Sequence, residues 1–544
     1  MAINKNFYNP YTFIPLSDKV ITYSEKEVEK INYSHDIPLS NTASSGFIEF
    51  TMEAKTPFCI KSDNGRSSQI VDKYFVPGTS IKGMIKNVFE IITFSNIKNV
   101  IADSRYSMRD IRSDDYKLKS KDSKHLSGFL VQLNHQLFIV QCSSDKYLYE
   151  EIEDIEGVDL KRVSSISTKY SKLNDEYIFE DNNIYRMWFF SGYMNNKKHE
   201  FLFDIPNDFI NEKFYPLDKR EYDDFIFIHE KENDNEAWKF WKKRLKNYIN
   251  KEDIAKDMYK GIVPCFFRLK KRNDDLIVKD LGFSFLYRQP YDKSIHDCLP
   301  ESHKSLSDDQ LDMTKAVFGY TSTKNSLRGR VAFSNSFLKN AAVDIEQTFI
   351  MGKPKPTYYP FYLAQKDNKK LITFFQQNVK ISGWKRNLVH IEAKTGISTG
   401  KPNIETSFIP IKAGAQFTCK VRYHNLSDFE LGALISAITF HNSVECYHLL
   451  GYAKPFGYGK FKLLNIKLYD SLDKTEDNLL EAFEMYIEEK IDKKQWIHTL
   501  NSLRYVAKGE YSGNKEIRYP TLNKKEFEEI KKSKLNLKDF SPLS

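Results

Sequence analysis

Apolar residues recur at two different periods along the chain, and these periods predict where strands and helices lie. Between positions 81 and 92 apolar residues repeat every three to four positions, which predicts an amphipathic helix with Thr79 or Ser80 as its N-cap. Between positions 48 and 55 apolar and polar residues alternate, which predicts a strand with one buried face. The segment 74–78 predicts a short strand that turns directly into the helix.

The start of this helix has the residues of an anion site. Gly78 and Gly83 permit close approach of another molecule, and the first-turn N–H groups carry the positive end of the helix dipole. Lys82 and Lys86 lie one turn apart on the polar face. We therefore predict a phosphate site that comprises Gly78, Thr79, Ser80, Lys82, Gly83 and Lys86. The alternative interpretation is a capped amphipathic helix whose lysines are only solvated.

A second strand, helix and strand pattern lies near the other end of the chain. Residues 417–423 alternate between apolar and polar, and the polar positions include Lys420 and Arg422, which predicts a half-buried strand with a basic open face. Residues 427–441 predict a helix that begins with a capping box. Residues 460–470 predict another strand.

A glycine-rich turn precedes that last strand, and we predict that it binds a nucleic-acid backbone. Lys454 and Lys460 flank the sequence Gly457-Tyr458-Gly459, whose N–H groups we expect to be free. Glycine-rich turns form hairpins more often than binding loops, and the dinucleotide-binding pattern GxGxxG is absent. The turn alone therefore does not define a ligand.

Two basic segments predict a groove for phosphates in the second half of the chain. Arg328 and Arg330 are two positions apart on a predicted strand, so both side chains are expected on one face. Lys385 and Arg386 add two further cations, and Trp384 beside them can stack on a base. The alternative interpretation is a solvated basic surface with Trp384 in the core.

Composition and charge agree with a folded and modestly basic protein. The chain has 544 residues, and 82 Lys and Arg residues against 73 Asp and Glu residues give a net charge of +9. Its six cysteines form no CxxC pair, which argues against a zinc ribbon or a disulfide framework. No apolar run reaches the roughly 18 residues that span a bilayer, and no signal peptide is predicted. We therefore expect a cytoplasmic protein without a membrane partner.

A charged, helix-forming run at residues 235–259 has the composition of a connector between domains. We predict an N-terminal module over residues 1–255, a C-terminal module with the glycine-rich loop over residues 256–470, and a charged, mainly helical tail over residues 471–544. The two modules are inferred from a shared layout of elements, since their residues differ.

Six segments, in order along most of the chain, are similar to motifs of one protein superfamily. They are Phe7–Leu16 (FYNPYTFIPL), Thr56–Phe58 (TPF), Pro77–Lys86 (PGTSIKGMIK), Ser104–Asp110 (SRYSMRD), Phe318–Ser334 (FGYTSTKNSLRGRVAFS) and Gly451–Lys460 (GYAKPFGYGK). Each motif is loose, but together they resemble the RAMP superfamily of CRISPR-associated RNA-binding proteins. The similarity is greatest to the long, two-module RAMP proteins associated with type III systems.

The resemblance implies an α+β fold of two ferredoxin-like, RRM-type modules with insertions and a partly helical C-terminal tail. It also implies an RNA-binding subunit of a type III CRISPR ribonucleoprotein, which holds guide RNA through glycine-rich loops and basic faces. The expected partners are CRISPR RNA and other CRISPR-associated subunits, with target RNA paired to the guide as a further ligand.

RNA cleavage is the first alternative function. Without a metal it needs a proton acceptor, a proton donor and a cation, and His35 and His448 are candidates by position. In the type III backbone subunits that the chain resembles, an aspartate before the Pro-Gly-helix segment cleaves target RNA with a divalent metal. Asp63 and Asp72 occupy that interval, so Mg²⁺ would be their cofactor, although the surrounding residues depart from that loop. No other cofactor is expected, and a protein-only scaffold subunit is the second alternative.

Overall fold

The computed structural model of the chain divides into two compact units. The first comprises Met1–Ile101 and Cys298–Ser544, and the second comprises Ala102–Asp297. The structure describes residues 7–60, 67–70, 73–97, 103–109, 116, 125–161, 163, 165–174, 177–181, 183–192, 197–232, 234–305, 307, 310–322, 325–338, 342–351, 362–365, 372–398, 400, 405–472, 474–509 and 516–519. Both units mix helices with mostly antiparallel strands, so the predicted α+β class is confirmed.

The first unit is built on one antiparallel sheet and two helices. In chain order these elements are β1 (Ser44–Ala54), α1 (Gly78–Ile92), β2 (Val331–Phe333), β3 (Gln416–Leu426), α2 (Asp428–Thr439) and β4 (Lys460–Asp470). The sheet order is β2, β3, β1, β4, with the short strand His448–Leu449 beside β4, and all neighbours are antiparallel. This β-α-β-β-α-β sequence around a central β1 is the ferredoxin-like arrangement.

Alternation along the strands decides which face of the sheet is buried. Ile48, Phe50 and Met52 of β1 have exposed fractions of 1%, 1% and 0% and share one core with the apolar residues of α1 and α2. Successive side chains of a strand point to opposite faces, so the intervening polar residues lie on the other face of the sheet. α2 is buried on nearly all sides because the helix Glu476–Lys490 packs against it at Gly432.

The predicted division near residue 255 does not coincide with this architecture. β1 belongs to the predicted N-terminal module, but it pairs along its length with β3 and β4, which belong to the predicted C-terminal module. Residues from both sides of position 255 therefore build one ferredoxin-like sheet, and Ala102–Asp297 forms a unit of its own. Pairing between segments so far apart leaves no local signal in composition or period.

The described residues of the predicted tail, 471–472, 474–509 and 516–519, are mainly helical and are part of the first unit. The helices Glu476–Lys490 and Lys493–Lys508 bury Phe483, Trp496 and Leu503 in the same core as the sheet. They therefore stabilise the ferredoxin-like module through burial of apolar surface.

The first unit also contains shorter elements. Its other strands are Phe7–Tyr8, Tyr11–Ile14, Gln69–Ile70, Lys73–Val76, Tyr320–Thr321, Ser326–Leu327, Ser336–Phe337, Gln347–Ile350, Trp384–Asn387, Glu405–Phe408 and Glu516–Ile517. Its other helices are Glu25–Asn32, Glu301–Lys304 and Met313–Phe318, and Lys454–Phe456 forms a 3-10 turn.

The second unit has its own hydrophobic core and its own sheets. One sheet has the order Phe214–Leu217, Gln136–Cys142, Leu126–Leu133, Val263–Arg272, Asp275–Gly282, with Asn247–Tyr248 beside Leu126–Leu133. The next has the order Ile178–Asp181, Ile184–Phe189, His199–Asp204, Ser144–Leu148, and a third pairs Ser107–Met108 with Gln289–Pro290. Its helices are Tyr149–Glu156, Ile166–Lys172, Lys219–Ile226, Phe227–Glu232, Glu236–Lys242 and Lys251–Lys256. Among the helices described in either unit, none is long and apolar enough to cross a membrane.

Candidate nucleic-acid interface

The face of the sheet opposite α1 and α2 carries an aromatic pair. Phe47 of β1 and Tyr469 of β4 are partners in the strand register, and their rings stack with centroids 4.4 Å apart and planes inclined by 19°. Tyr469 is 44% exposed. Nζ of Lys420, on β3, lies 3.6 Å from the centroid of the Phe47 ring, which is a cation–π contact. A flat aromatic face beside a cation can receive a nucleotide base and its phosphate.

Charged residues surround this pair on the neighbouring strands. Arg422, two positions after Lys420 on β3, is exposed and is the register partner of Phe47. Lys420 and Lys467 are both register partners of Glu49 of β1, one on each neighbouring strand. We call Phe47, Lys420, Arg422 and Tyr469 the aromatic–basic face.

The predicted phosphate site at the start of α1 is engaged by protein groups. The Gly78 N–H donates to Oδ1 of Asn335 over 2.9 Å, and a Cβ at Gly78 would meet a backbone carbonyl. The helix begins at Gly78 with Pro77 as its N-cap, so neither Thr79 nor Ser80 caps it. The Ser80 N–H donates to the carbonyl of Pro77 over 2.9 Å. The amides of Gly78 and Ser80 are therefore not free for a phosphate.

The polar surface of α1 carries two partly exposed lysines with different partners. Nζ of Lys82 donates to the carbonyl of Phe318 over 3.1 Å, and burial, together with the charge of Lys86, lowers the pKa of Lys82. Lys86 forms an ion pair with Glu90 at 3.7 Å and keeps 37% of its side chain exposed. Gly83 is exposed, with open space beyond its Cα. Lys86 is therefore the better placed of the two cations for a ligand.

The glycine-rich turn is packed against protein. The N–H of Gly457 donates to the carbonyl of Lys454 over 3.0 Å, and the N–H of Gly459 donates to the carbonyl of Pro57 over 2.9 Å. Both glycines have a positive φ, 89° and 76°, and a Cβ at either would meet a backbone carbonyl. The glycines are thus required for the turn and its packing, and the prediction that their N–H groups are free does not hold.

The side chains of the turn and of the following strand also contact protein. Tyr458 is buried, its hydroxyl donates to the carbonyl of Lys394 over 3.1 Å, and burial raises the pKa of Tyr458 to about 12. Nζ of Lys460 lies 4.2 Å from the centroid of the Tyr447 ring. Burial lowers the pKa of Lys460. Tyr458 therefore has a packing role, while Lys460 keeps a partly exposed charge.

The positive charges of Arg386 and Lys454 are poorly solvated. Nη1 of Arg386 donates to Oδ1 of Asn87 over 2.6 Å, and burial lowers the pKa of Arg386 to about 10. Burial and the charge of Arg386 lower the pKa of Lys454 as well. Neither residue forms an ion pair with a carboxylate of the described part of the chain. An anion bound here would offset the cost of burying these two charges.

Lys385 and Trp384 do not contribute to a groove with Arg386. Lys385 is adjacent to Arg386 on one strand and so projects from its opposite face. Nζ of Lys385 lies 3.8 Å from the centroid of the Tyr11 ring and donates to the hydroxyl of Tyr362 over 2.9 Å, and burial lowers its pKa to about 8. Trp384 is only 7% exposed and packs in the core, so it cannot stack on a base.

Arg330 is a structural residue and does not face a phosphate groove. Its guanidinium is buried and forms a bidentate ion pair with Glu430 of α2, which also accepts a hydrogen bond from the Tyr23 hydroxyl over 2.7 Å. Arg328 is exposed, but residues 328–330 are not in a strand, so the predicted common strand face is absent. Arg328 is the only one of the two with an accessible side chain.

The predicted catalytic residues have different surroundings. His448 is 2% exposed, its Nε2 lies 2.9 Å from a backbone carbonyl, and burial lowers its pKa to about 3. It therefore cannot exchange a proton with an RNA substrate. His35 is partly exposed, and its Nε2 lies 3.0 Å from the carbonyl of Arg328. Asp63 and Asp72 lie outside the described residues.

Phe47 and Tyr469 are not among the site residues that the sequence predicts. Phe47 and Tyr469 occupy the polar positions of alternating strands, and an aromatic residue at such a position is the signal that points to a surface role. Their proximity depends on the pairing of β1 with β4, which no local pattern reveals.

One group of side chains in the described part of the second unit could offer ligands to a metal ion. Ligand atoms of Asp103, His296 and Asp297 lie within 4.8 Å of one another. Ser294 donates hydrogen bonds to both aspartates, over 2.9 and 2.8 Å, and Arg220 lies 3.8 Å from Asp297. Because protein groups already compensate these carboxylates, we assign no metal to them.

Comparison with known proteins gives similar solved structures. No family model and no curated protein matches the chain. Among solved structures, a chain described as "CRISPR RNA-guided surveillance complex, pre-nicking" is 10% identical, with an alignment that covers 82% of this chain and 88% of that chain and a TM-score of 0.22. At this identity and TM-score the similarity establishes neither a family nor a function for the chain.

Proposed function

We propose that the chain is an RNA-binding subunit of a type III CRISPR ribonucleoprotein, in which it holds guide RNA. The resemblance of six ordered motifs to RAMP proteins supports the CRISPR assignment. The observation that carries the RNA-binding assignment is the aromatic–basic face on the open side of a ferredoxin-like sheet.

The position of this face is the one that RRM-type modules use. Such modules bind single-stranded RNA on the open face of a four-stranded sheet, where aromatic side chains of the central strands stack on bases. Phe47 lies on the central strand β1 and Tyr469 on its neighbour β4, while α1 and α2 cover the other face. Lys420 and Arg422 stand beside the rings, where they can neutralise the phosphates that link stacked bases.

Side chains, and not glycine amides, supply the remaining phosphate contacts in this proposal. Gly78, Gly457 and Gly459 donate their N–H groups to protein acceptors. Lys86 is accessible, and Arg386 with Lys454 forms a positive site that lacks a described carboxylate partner. Each phosphate that such a cation neutralises adds to the salt dependence of binding.

The first prediction concerns the two aromatic rings. In the Phe47→Ala and Tyr469→Ala variants we expect the affinity for single-stranded RNA to fall by about 1–3 kcal/mol per stacked base, which is roughly 5- to 150-fold. Fluorescence anisotropy with a labelled RNA at several salt concentrations measures this. Phe337→Ala is the matched control, because Phe337 is also exposed, at 45%, and lies on a different sheet.

The same titration separates RNA binding from a scaffold role. If the logarithm of the affinity falls linearly with the logarithm of the salt concentration, the protein contacts phosphates. No binding at low salt, or equal affinities for the Phe47→Ala, Phe337→Ala and unmodified proteins, would contradict the proposed interface. Sequencing the RNA that co-purifies with the protein from its native host tests the guide assignment, for which repeat-derived RNA is the expected cargo.

A further inference from the structure

A second aromatic ring lies beside β4, at the opposite end of the strand from Tyr469. The short strand His448–Leu449 pairs with the start of β4, and Tyr447 directly precedes it. The Nζ atoms of Lys460 and Lys462 lie 4.2 and 5.0 Å from the centroid of the Tyr447 ring, and both are cation–π contacts. The Tyr447 side chain is partly exposed. We call Tyr447, Lys460 and Lys462 the Tyr447 cluster.

A bulge in β4 puts this cluster on the same face of the sheet as Phe47 and Tyr469. Lys462 and Tyr469 are seven positions apart (469 − 462), so in a regular strand they would project from opposite faces. Between them the register shifts, because three positions of β4 lie opposite two positions of β1. Glu53 and Phe47, the register partners of these two residues, are six positions apart on β1 (53 − 47) and so share one face. The Tyr447 cluster therefore belongs to the open face of the sheet.

The two cations of the cluster have no carboxylate to balance them. Neither Lys460 nor Lys462 forms an ion pair in the described part of the chain, whereas the neighbouring Lys55 is paired with Glu53 at 2.7 Å. Nζ of Lys462 donates to the carbonyl of Cys446 over 3.2 Å. Burial, together with the charge of Lys55, lowers the pKa of Lys460 and of Lys462. A bound anion would offset the poor solvation of these charges.

A cavity adjoins the cluster on the side of the helix Lys493–Lys508. It has a volume of about 520 Å³, in the range of small-ligand sites, and Val444 and Arg504 are among the residues that line it. Nζ of Lys462 donates to the Val444 carbonyl, so the cavity and the cluster are neighbours. Nε and Nη2 of Arg504 donate to two backbone carbonyls just after α2, and its Nη1 has no hydrogen-bond partner among the described residues. The cavity thus offers a further donor to a phosphate beside Tyr447.

The spacing of the two aromatic sites fits an unpaired nucleic-acid strand. Six positions of an antiparallel strand, at about 3.4 Å each, separate the sites by about 20 Å. A strand with stacked bases rises about 3.4 Å per nucleotide, so about six nucleotides cover this distance. Lys467 is exposed on β4 between the sites, where it can contact a phosphate. Both faces of a base inside a duplex are covered by its neighbours, so the protein rings can stack only on unpaired bases.

We propose that the Tyr447 cluster holds a second unpaired nucleotide of the RNA whose other bases stack on Phe47 and Tyr469. The ligand is then a single strand of at least about six nucleotides that follows β4 from one ring to the other. This inference rests on the proposed RNA binding and narrows its ligand, because RNA paired along this stretch cannot occupy both sites. Once one site is filled, binding at the other is intramolecular, which raises the affinity for strands long enough to reach both.

The second prediction compares two RNA lengths with the full-length protein: a 12-nucleotide RNA without self-complementarity, and its first three nucleotides. For the longer RNA we expect Tyr447→Ala to lower the affinity by about 5- to 150-fold, as Tyr469→Ala does, because one stacked base is lost. The trinucleotide cannot reach both sites, so either variant should lower its affinity by about twofold or less. Tyr447→Phe keeps the ring and should bind the longer RNA like the unmodified protein. Fluorescence anisotropy measures each affinity.

Tyr215→Ala is the matched control, because Nζ of Lys213 lies 5.3 Å from the centroid of the Tyr215 ring and both residues belong to the second unit. Lys460→Gln gives a readout that does not depend on the folding of Tyr447→Ala. With the longer RNA, its slope of log affinity against log salt should be shallower by about 0.7, as expected for one lost phosphate contact with a single strand. Annealing the complementary strand to the RNA should remove the difference between Tyr447→Ala and the unmodified protein.

If Tyr469→Ala weakens binding of the longer RNA while Tyr447→Ala and Lys460→Gln do not change it, the inference is overturned and the RNA-binding proposal stands. Equal losses in Tyr447→Ala for both RNA lengths, or for the single strand and the duplex, would also overturn it. Failure of the unmodified protein to bind the longer RNA at low salt would contradict the proposed function itself, and this inference with it.

Discussion

At the residue scale, burial separates the structural cations of this protein from those that can meet RNA. Arg330 lies in a motif rich in arginine, but its guanidinium is buried against Glu430. Removing one partner of such a pair costs about 3–5 kcal/mol, because the other charge is then buried alone. Arg328, two positions earlier, is exposed. A basic residue in this chain is therefore informative about RNA only when its side chain is accessible.

The third prediction is a loss of stability in acid that depends on His448. Burial lowers the pKa of His448 in the folded protein to about 3, whereas an unfolded histidine has a pKa of about 6.5. Below pH 6.5 the unfolded chain therefore binds the proton more readily than the folded chain. Above pH 6.5 the His448 ring is neutral in both states, so it does not change the free energy of unfolding with pH. Between pH 6.5 and pH 3 the free energy of unfolding falls as the pH falls, by up to about 1.4 kcal/mol per pH unit. Urea denaturation at pH 7, 6, 5 and 4 measures the slope.

His448→Gln is the test variant, since its amide can still donate to the carbonyl that His448 contacts but does not titrate. Its stability should fall less steeply with decreasing pH. A residual slope is expected from His229 and His390, whose pKa values burial lowers to about 4. Parallel pH profiles for the variant and the unmodified protein would show that His448 is not held neutral by burial.

At the element scale, the two glycine segments have different reasons for their glycines. Gly459 has a φ of 76° and no room for a Cβ, so the turn before β4 needs glycine for its backbone shape and close packing. Gly83 lies inside α1 with open space around it, so neither conformation nor packing requires glycine there. A glycine inside a helix without a structural reason lowers helix stability relative to alanine.

The fourth prediction compares these two positions in the same protein. Gly459→Ala should lower the free energy of unfolding by at least about 1–3 kcal/mol, because it adds backbone strain to a steric conflict. Gly83→Ala should raise it by about 0.5–1 kcal/mol. Thermal or urea denaturation measures both. If Gly83→Ala stabilises the fold and also weakens RNA binding, close approach of RNA to α1 is the reason for that glycine. A Gly83→Ala variant that is less stable than the unmodified protein would contradict the prediction.

At the scale of the whole molecule, the ferredoxin-like module is discontinuous in sequence. Its central strand β1 comes from the first hundred residues, and its partners β3 and β4 begin at Gln416 and Lys460. The second unit is encoded between them, over Ala102–Asp297. The proposed RNA interface depends on the pairing of these distant strands, because it combines Phe47 of β1 with Tyr469 of β4.

The fifth prediction follows from that discontinuity. A fragment of residues 1–255 lacks every partner strand of β1, and a fragment of residues 256–470 lacks β1 itself. Neither fragment is expected to unfold cooperatively or to bind RNA, whereas the full chain should do both. Circular dichroism during urea denaturation and anisotropy with labelled RNA are the measurements. Cooperative unfolding of both separate fragments would contradict this prediction and support a module boundary at residue 255.

The sequence by itself determined the local elements and part of their chemistry. Alternation at positions 48–55 and 417–423 identified two strands of the sheet, and the period of residues 81–92 identified α1. Lys420 and Arg422 were expected on an open strand face, and they lie there. These patterns are local because a strand or helix sets the direction of each side chain from its neighbours alone.

Only the tertiary structure decided which distant residues meet. Pairing of β1 with β4 stacks Phe47 on Tyr469, and the bulge in β4 puts Lys462 on the same face. The same long-range packing turns the glycine N–H groups towards protein acceptors and buries Arg330 with its carboxylate. Strand order is set by how all apolar faces are buried together, and that is a property of the whole chain which no single segment encodes.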